Sequence, residues 1–300
     1  MDYIREANMP LSQGLDIGSI EKAYRNKDIL CARALIYEKG TGLHFNLGGY
    51  RAVMPADEVI YTPDGSPAKE AGIVTRLNKK VCFIVTAIEY GKERTTIYIS
   101  RREVQKKAYN EYIKKLIPGD IIPCNVTHVD SFGVFCDVGY GISALLPIDF
   151  ISVSRISSPR DRFENGQDIF GCIKSIDSGG RIVLTHRELL GTWLENAKMF
   201  KAGTTACGIV RSIETYGIFI ELSPNLAGLA EVCEGMETGD VVNVYIKSII
   251  PDKMKVKLVI MNTVHNRNIK KEIMYFTTEG HIDRWVYSTE NGPKLIYTEF

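Results

Sequence analysis

The chain lacks any long apolar run. None of its hydrophobic stretches approaches the ~20 residues that a membrane span requires, although 45% of its 300 residues are hydrophobic. Its opening, MDYIREANMP, is polar and acidic early and lacks the pattern of a secretory signal. These absences predict a cytoplasmic protein with no membrane partner. No CxxC pair is present. Cys31, Cys82, Cys124, Cys136, Cys172, Cys207 and Cys233 are odd in number and scattered, so buried thiols are expected rather than disulfides or a zinc site. No phosphate loop of the Walker type appears. His44, His128, His186, His265 and His281 stand apart, and no paired carboxylates join one of them in a catalytic or metal-type cluster. The chain is therefore expected not to be an enzyme and to need no metal or cofactor. The net charge of +1 excludes a histone-like polycation, but not a local basic face.

What is present is a repeat. Gly119-Asp120-Ile121-Ile122 opens a strand that leads to Asp130-Ser131-Phe132-Gly133-Val134-Phe135. Gly203-Thr204-Thr205-Ala206 opens another that leads to Glu214-Thr215-Tyr216-Gly217-Ile218-Phe219, with the same spacing from glycine to aromatic. The second halves also match: Gly166-Gln167-Asp168 leads to Ile173-Lys174, as Gly239-Asp240-Val241 leads to Ile246-Lys247. A degenerate third copy lies upstream, where Gly42-Leu43-His44-Phe45 aligns with Gly133-Val134-Phe135-Cys136. Alternating β-branched residues punctuated by glycine predict several short strands per copy, which suits small closed barrels.

Helices are expected between the copies, over Arg102–Leu116 and Arg187–Phe200. The latter places Leu190, Leu194, Ala197 and Trp193 near one stripe. A short helix is also expected around Ser19–Arg25. Tyr61–Pro67 reads as a turn-rich loop. The tail reads as strand again over Ile273–Thr278, Ile282–Ser288 and Lys294–Tyr297, with a turn at Glu290-Asn291-Gly292.

Strand alternation supplies a candidate binding face. If Val134, Cys136 and Val138 point inward, Phe135 and Asp137 point outward. Likewise Ile218 and Ile220 point inward and Phe219 outward. Phe132 and Tyr216 precede these strands closely enough to join them. Exposed rings so spaced offer stacking platforms for bases, while an interdomain contact is the plainer use of the same rings. Neighbouring cations, Lys174 and Arg181 in one copy and Arg211, Lys247 and Lys255 in the other, favour nucleic acid, since phosphate attraction dominates such affinity. Asp177, four residues before Arg181, is suited to orient that arginine or to cap a turn. Bulk charge differs between copies. Residues 28–110 carry 13 Lys and Arg against 9 Asp and Glu, residues 118–190 carry 6 against 9, and residues 201–262 carry 6 against 7. The first copy is thus the basic one, and the others rely on placed cations.

The two clear copies resemble the S1-type RNA-binding domain. The likeness rests on Phe132-Gly133-Val134-Phe135, Tyr216-Gly217-Ile218-Phe219 and the closing element Ile176-Asp177-Ser178-Gly179-Gly180-Arg181-Ile182-Val183-Leu184-Thr185. Arg187–Trp193 is similar to a linker of bacterial ribosomal protein S1 and its shorter homologues. The likeness spans about residues 27–262 and is weak over the first copy. It implies an all-β chain of tandem OB-fold, five-stranded barrels joined by short helices, with a small C-terminal β extension. The expected layout is a helical lead-in (1–26), a degenerate barrel (27–101), a linker (102–117), a barrel (118–186), a linker (187–200), a barrel (201–262) and the extension (263–300).

The resemblance further implies single-stranded RNA held by two aromatics, a histidine and an Asp/Arg pair. Here these fall on Phe132, Phe135, Tyr216, Phe219, Asp177 and Arg181. The usual histidine is replaced by Pro147 and Glu231, and Lys255 stands where an arginine is usual. Thr41 and His44 replace both aromatics in the first copy, leaving His44 a weaker candidate and suggesting docking there instead. The expected function is mRNA binding in translation, with the small ribosomal subunit or another ribonucleoprotein as partner. The alternative is an RNA-metabolism or transcription-associated adaptor whose barrels dock protein.

Overall fold

The computed structural model describes residues 3–264 and 273–300. His265 lies outside the described residues. The chain sorts into two compact units: Met1–Leu116 with Asp137–Ala144 and Ile176–Ile182, and Ile117–Cys136 with Leu145–Ser175 and Val183–Phe300.

In the first unit, Asp16 caps the helix Ile17–Asn26, accepting from Ser19 N at 2.8 Å, and Lys27 ends it at φ 54°. The following sheet has six strands, ordered Leu30–Arg33, Lys80–Tyr90, Thr95–Ser100, Tyr50–Met54, Gly42–Leu47 and Ile36–Glu38. Its two ends are halves of one segment, interrupted only at Ala34 and Leu35, so the sheet returns on itself as a barrel with a broken first strand. Leu43, Phe45, Phe83, Val85, Ile97 and Ile99 fill its interior. The expected linker helix forms over Arg102–Glu111 and tightens into a 3-10 turn at Ile113–Lys115.

Two further sheets are closed five-stranded barrels. The middle one is built from Ile121–Val129, Gly133–Asp137, Ser143–Pro147, Asp168–Ile176 and Ile182–Thr185, and the last from Thr205–Glu214, Gly217–Ser223, Leu226–Ala230, Val241–Ile250 and Lys255–Val264. The repeated sequence makes repeated bonds. Val126 N donates to Gln167 O at 2.8 Å, as Val210 N donates to Asp240 O at 2.9 Å.

One glycine explains the shared motif. A Cβ at Gly133 would meet Leu146 O at 2.6 Å, and one at Gly217 would meet Ala230 O at 2.7 Å. At Gly42 the same position abuts Met54 O. Each copy therefore needs glycine where its second strand begins against the carbonyl of its third.

The Arg187–Phe200 linker is shorter in helix than expected. A 3-10 turn spans Arg187–Leu190, and a capping box between Thr192 and Glu195 starts the helix Trp193–Ala197. Leu190, Trp193 and Ala197 are buried, but Leu194 is exposed, because a helix this short presents only one side to the barrel. The tail also departs from expectation. Ile273–Thr278 forms no strand; its Tyr275 instead packs on Phe170 and His186. Among the described residues from Ile273 onward, Arg284–Val286 and Tyr297–Glu299 pair as strands. Trp285 and Tyr287 enter the core of the last barrel, so the tail completes that core. No disulfide joins cysteines among the described residues.

Candidate nucleic-acid interface

The last barrel carries the better-formed face. Val256 and Leu258 point inward while Lys255, Lys257 and Val259 are exposed, as strand alternation dictates. Phe219 pairs across the sheet with Leu229, and Leu229 pairs with Lys257. An aromatic, an aliphatic and an ammonium therefore stand side by side on adjacent strands. Tyr216 is 68% exposed and meets Phe219 edge to face, with ring centroids 6.2 Å apart. Phe219 is half-buried, held by neighbours on one side and open on the other.

A groove of about 700 Å³ follows this face. Tyr216 and Phe219 line it, with Lys247, Lys253, Lys255 and Lys257 from the last two strands and their connection. Lys294 reaches it from the tail, and Glu231 is its single carboxylate. Five ammonium groups against one carboxylate make a strongly positive trough beside two rings. That pairing suits a polyanion whose bases stack.

The middle barrel repeats the aromatic pair. Phe132 is 51% exposed and meets Phe135 edge to face at 5.9 Å. His128, on the preceding strand, stacks beside Phe135 at 6.4 Å and 27°. Lys174 lies with its Nζ 5.2 Å from the Phe300 ring centroid, so the tail engages it. In the first unit, Arg181 Nε donates to Asp177 Oδ2 at 2.9 Å, and both side chains are exposed. The Asp177 carboxyl is held below its usual value by the Arg181 backbone N–H and charge.

One expectation fails. Arg211 is not an exposed phosphate contact: its Nε donates to Glu221 at 2.7 Å and its Nη1 to Asp161 at 3.2 Å, and the side chain is 8% exposed. A guanidinium held by a buried carboxylate and a half-buried one has little left to offer a ligand. Asp137 faces outward from its barrel yet is buried, accepting from Glu6 N at 2.7 Å and from the N–H groups of Gly139 and Gly141. In the first barrel, His44 Nε2 lies 3.0 Å from Glu38 Oε2, and Arg51 approaches Nδ1 at 3.4 Å.

His128, Lys253, Lys257 and Lys294 join these faces without being among the residues expected there from the sequence. Alternation from Lys255 signals Lys257, and alternation outward from inward-pointing Val126 and Val129 offers no clear sign of His128. Nothing local signals Lys294, which arrives from the tail. Among the described residues, no group of three or more His, Cys, Asp or Glu side chains is placed to hold a metal ion. No helix among them is long and apolar enough to cross a membrane.

The chain is similar to several known proteins. Residues 115–187 match the family described as S1 RNA binding domain. The chain is 29% identical over 198 residues to small ribosomal subunit protein bS1 of Staphylococcus aureus, covering 60% of this chain and 50% of that protein. It is 27% identical over 223 residues to the bS1 homolog of Bacillus subtilis, covering 72% of this chain and 55% of that one. The chain thus spans about half the length of the curated relatives it matches. A crystal structure of a multidomain protein with nucleic acid binding domains from Streptococcus pneumoniae aligns over 78% of this chain and 73% of that one, at 13% identity and a TM-score of 0.27. Residues 115–187, which contain most of the middle five-stranded barrel, thus match the S1 RNA binding domain family, within a chain similar to bacterial ribosomal protein S1.

Proposed function

We propose that this chain binds single-stranded RNA on the outer faces of its middle and last barrels. Bases stack on Phe132, Phe135, Tyr216 and Phe219, and phosphates are drawn to Lys247 and Lys255 with Lys253, Lys257 and Lys294. Asp177 and Arg181 act as a polar pair for sugar or base edge, and Lys174 adds charge beside the tail. The observation that carries this reading is the groove in which Tyr216 and Phe219 share a wall with five lysines. Stacking tolerates any base, since each has a π-face, so binding is broad in sequence rather than read from base edges. Double-stranded RNA hides those faces and is expected to bind far more weakly. A titration in which duplex and single strand bind equally would overturn the reading.

The likeness to bS1 supports mRNA as the natural ligand and the small ribosomal subunit as a partner, in the cytoplasm, with no bond made or broken. Crosslinking in cells followed by sequencing of the bound RNA tests the first. Incubating labelled RNA with the protein and a divalent metal tests the last, and cleavage would contradict it.

A second reading concerns the first barrel. Leu35 and Ile36, 51% and 62% exposed, line the same groove as His44. This supports docking to protein there. Co-sedimentation with ribosomal subunits that survives nuclease treatment is the expected result.

A further inference from the structure

A cavity of about 520 Å³ lies in the first unit, on residues the RNA-binding reading leaves largely unused. Its size falls within the roughly 300–1,000 Å³ common for small-molecule sites. One wall holds Arg76, whose Nε is buried and makes no hydrogen bond. Two carboxylates lie near enough to act on it, and both are already engaged. Glu6 accepts from Arg101 through both oxygens, at 2.6 and 2.9 Å. Asp137 accepts three backbone N–H groups, and burial beside Glu6 pushes its carboxyl up to about 6, weakening its negative charge near neutrality. Burial and the neighbouring Arg101 both push the Arg76 guanidinium below its usual value. A buried guanidinium without a hydrogen-bonding counter-ion is costly, and an entering anion relieves that cost.

The rest of the wall suits more than an inorganic anion. Lys69 lines the same space, and among the described residues its ammonium makes no hydrogen bond or ion pair. The one carboxylate on the wall, Asp64, is occupied by Ser66 N at 3.0 Å and Ser66 Oγ at 2.7 Å. Tyr61 and Tyr109, with ring centroids 5.7 Å apart, and Pro63 line the same cavity. Two tilted rings in one cavity with two cations that no carboxylate hydrogen-bonds suit an aromatic base carrying a phosphate.

We infer that this cavity binds a nucleotide, with its phosphate on Arg76 and Lys69 and its base against Tyr61. That nucleotide is either a free molecule or the 5′-phosphorylated end of an RNA strand. The site shares Arg181 with the polar pair of the proposed RNA face but none of its aromatic rings or groove lysines, so the two can fail separately.

Calorimetric titration of the full chain with AMP and adenosine, and of the full-length Phe135→Ala/Phe219→Ala variant, whose RNA faces are disabled, with short RNAs bearing a 5′-phosphate or a 5′-hydroxyl, tests the inference. AMP binding identifies the free nucleotide, and binding of the 5′-phosphorylated RNA alone identifies the strand end. In either case the phosphate-free partner is expected to bind about 10- to 100-fold more weakly, the range of a charge-assisted hydrogen bond. Arg76→Met is expected to weaken binding by a similar factor. Lys69→Ala, at an exposed position that leaves the core intact, is expected to weaken it by about tenfold. Phe219→Ala is expected to leave AMP binding unchanged, which separates this site from the RNA face. Binding of neither phosphorylated ligand, equal binding of adenosine and AMP, or wild-type affinity in Lys69→Ala would overturn it.

Discussion

Arg162 Nη2 donates to Glu221 Oε2 across 2.6 Å, and both side chains are wholly buried. Arg162 lies in the long connection of the middle barrel and Glu221 on the second strand of the last. Arg211 donates to the same Oε2 at 2.7 Å, so one carboxylate oxygen bridges two guanidinium groups away from water, with Asp161 as a second partner of Arg211. Removing one partner of a buried pair strands the other charge, which costs about 3–5 kcal/mol. Glu221→Ala is therefore expected to lower the urea midpoint sharply, while Lys255→Ala leaves it within about 0.5 kcal/mol of wild type. Equal stability of the two variants would show the triad to be unimportant to folding.

His186 gives stability a pH dependence. Its Nδ1 hydrogen bonds to Ile151 O at 2.9 Å and its Nε2 to Tyr275 Oη at 3.0 Å. Assigning the donor proton to Nδ1 makes Nε2 the acceptor of the tyrosine hydroxyl, an arrangement only the neutral ring allows. Burial lowers its pKa from 6.5 to about 4. The unfolded chain then binds the proton first as pH falls, so this stability is complete above 6.5 and is lost on descending toward 4. The loss approaches about 3 kcal/mol. Urea unfolding of wild type and His186→Asn at several pH values should show a steeper acid decline in the wild type. Parallel declines would exclude the histidine as the cause.

Counter-ion release offers a test of the lysine groove. Each phosphate neutralised contributes about 0.7 to the slope of log affinity against log salt for a single strand. Lys255→Ala and Lys257→Ala are each expected to flatten that slope by about 0.7 or less, evenly across RNA sequences. Arg211→Lys, by contrast, is expected to alter unfolding and not the slope. A slope that changes with Arg211 and not with the lysines would reverse the assignment.

Much of this was legible along the chain because the repeat is local. Strand period two places Val134 and Cys136 inside and Phe135 at the surface, and the glycine before each pair is demanded by a carbonyl one strand away. What escaped the sequence depends on distant partners. Arg211 looks like a surface cation until Asp161 and Glu221, far along the chain, close over it. Asp137 alternates outward correctly but is covered by Glu6. The tail reads as a strand at Ile273–Thr278, yet Tyr275 gains more by filling the space beside Phe170 and His186 than by pairing its backbone. Lys294 reaches the groove only because Trp285 and Tyr287 anchor the tail on the last barrel.

The most direct test of the central claim is fluorescence anisotropy of a labelled single-stranded RNA titrated with wild type and with Phe135→Ala combined with Phe219→Ala. Both rings are partly exposed, so the circular dichroism spectrum and unfolding midpoint should be retained. Stacking is worth about 1–3 kcal/mol per base, so losing two platforms should weaken binding by roughly two orders of magnitude or more. Unchanged affinity in a folded double variant would contradict the account.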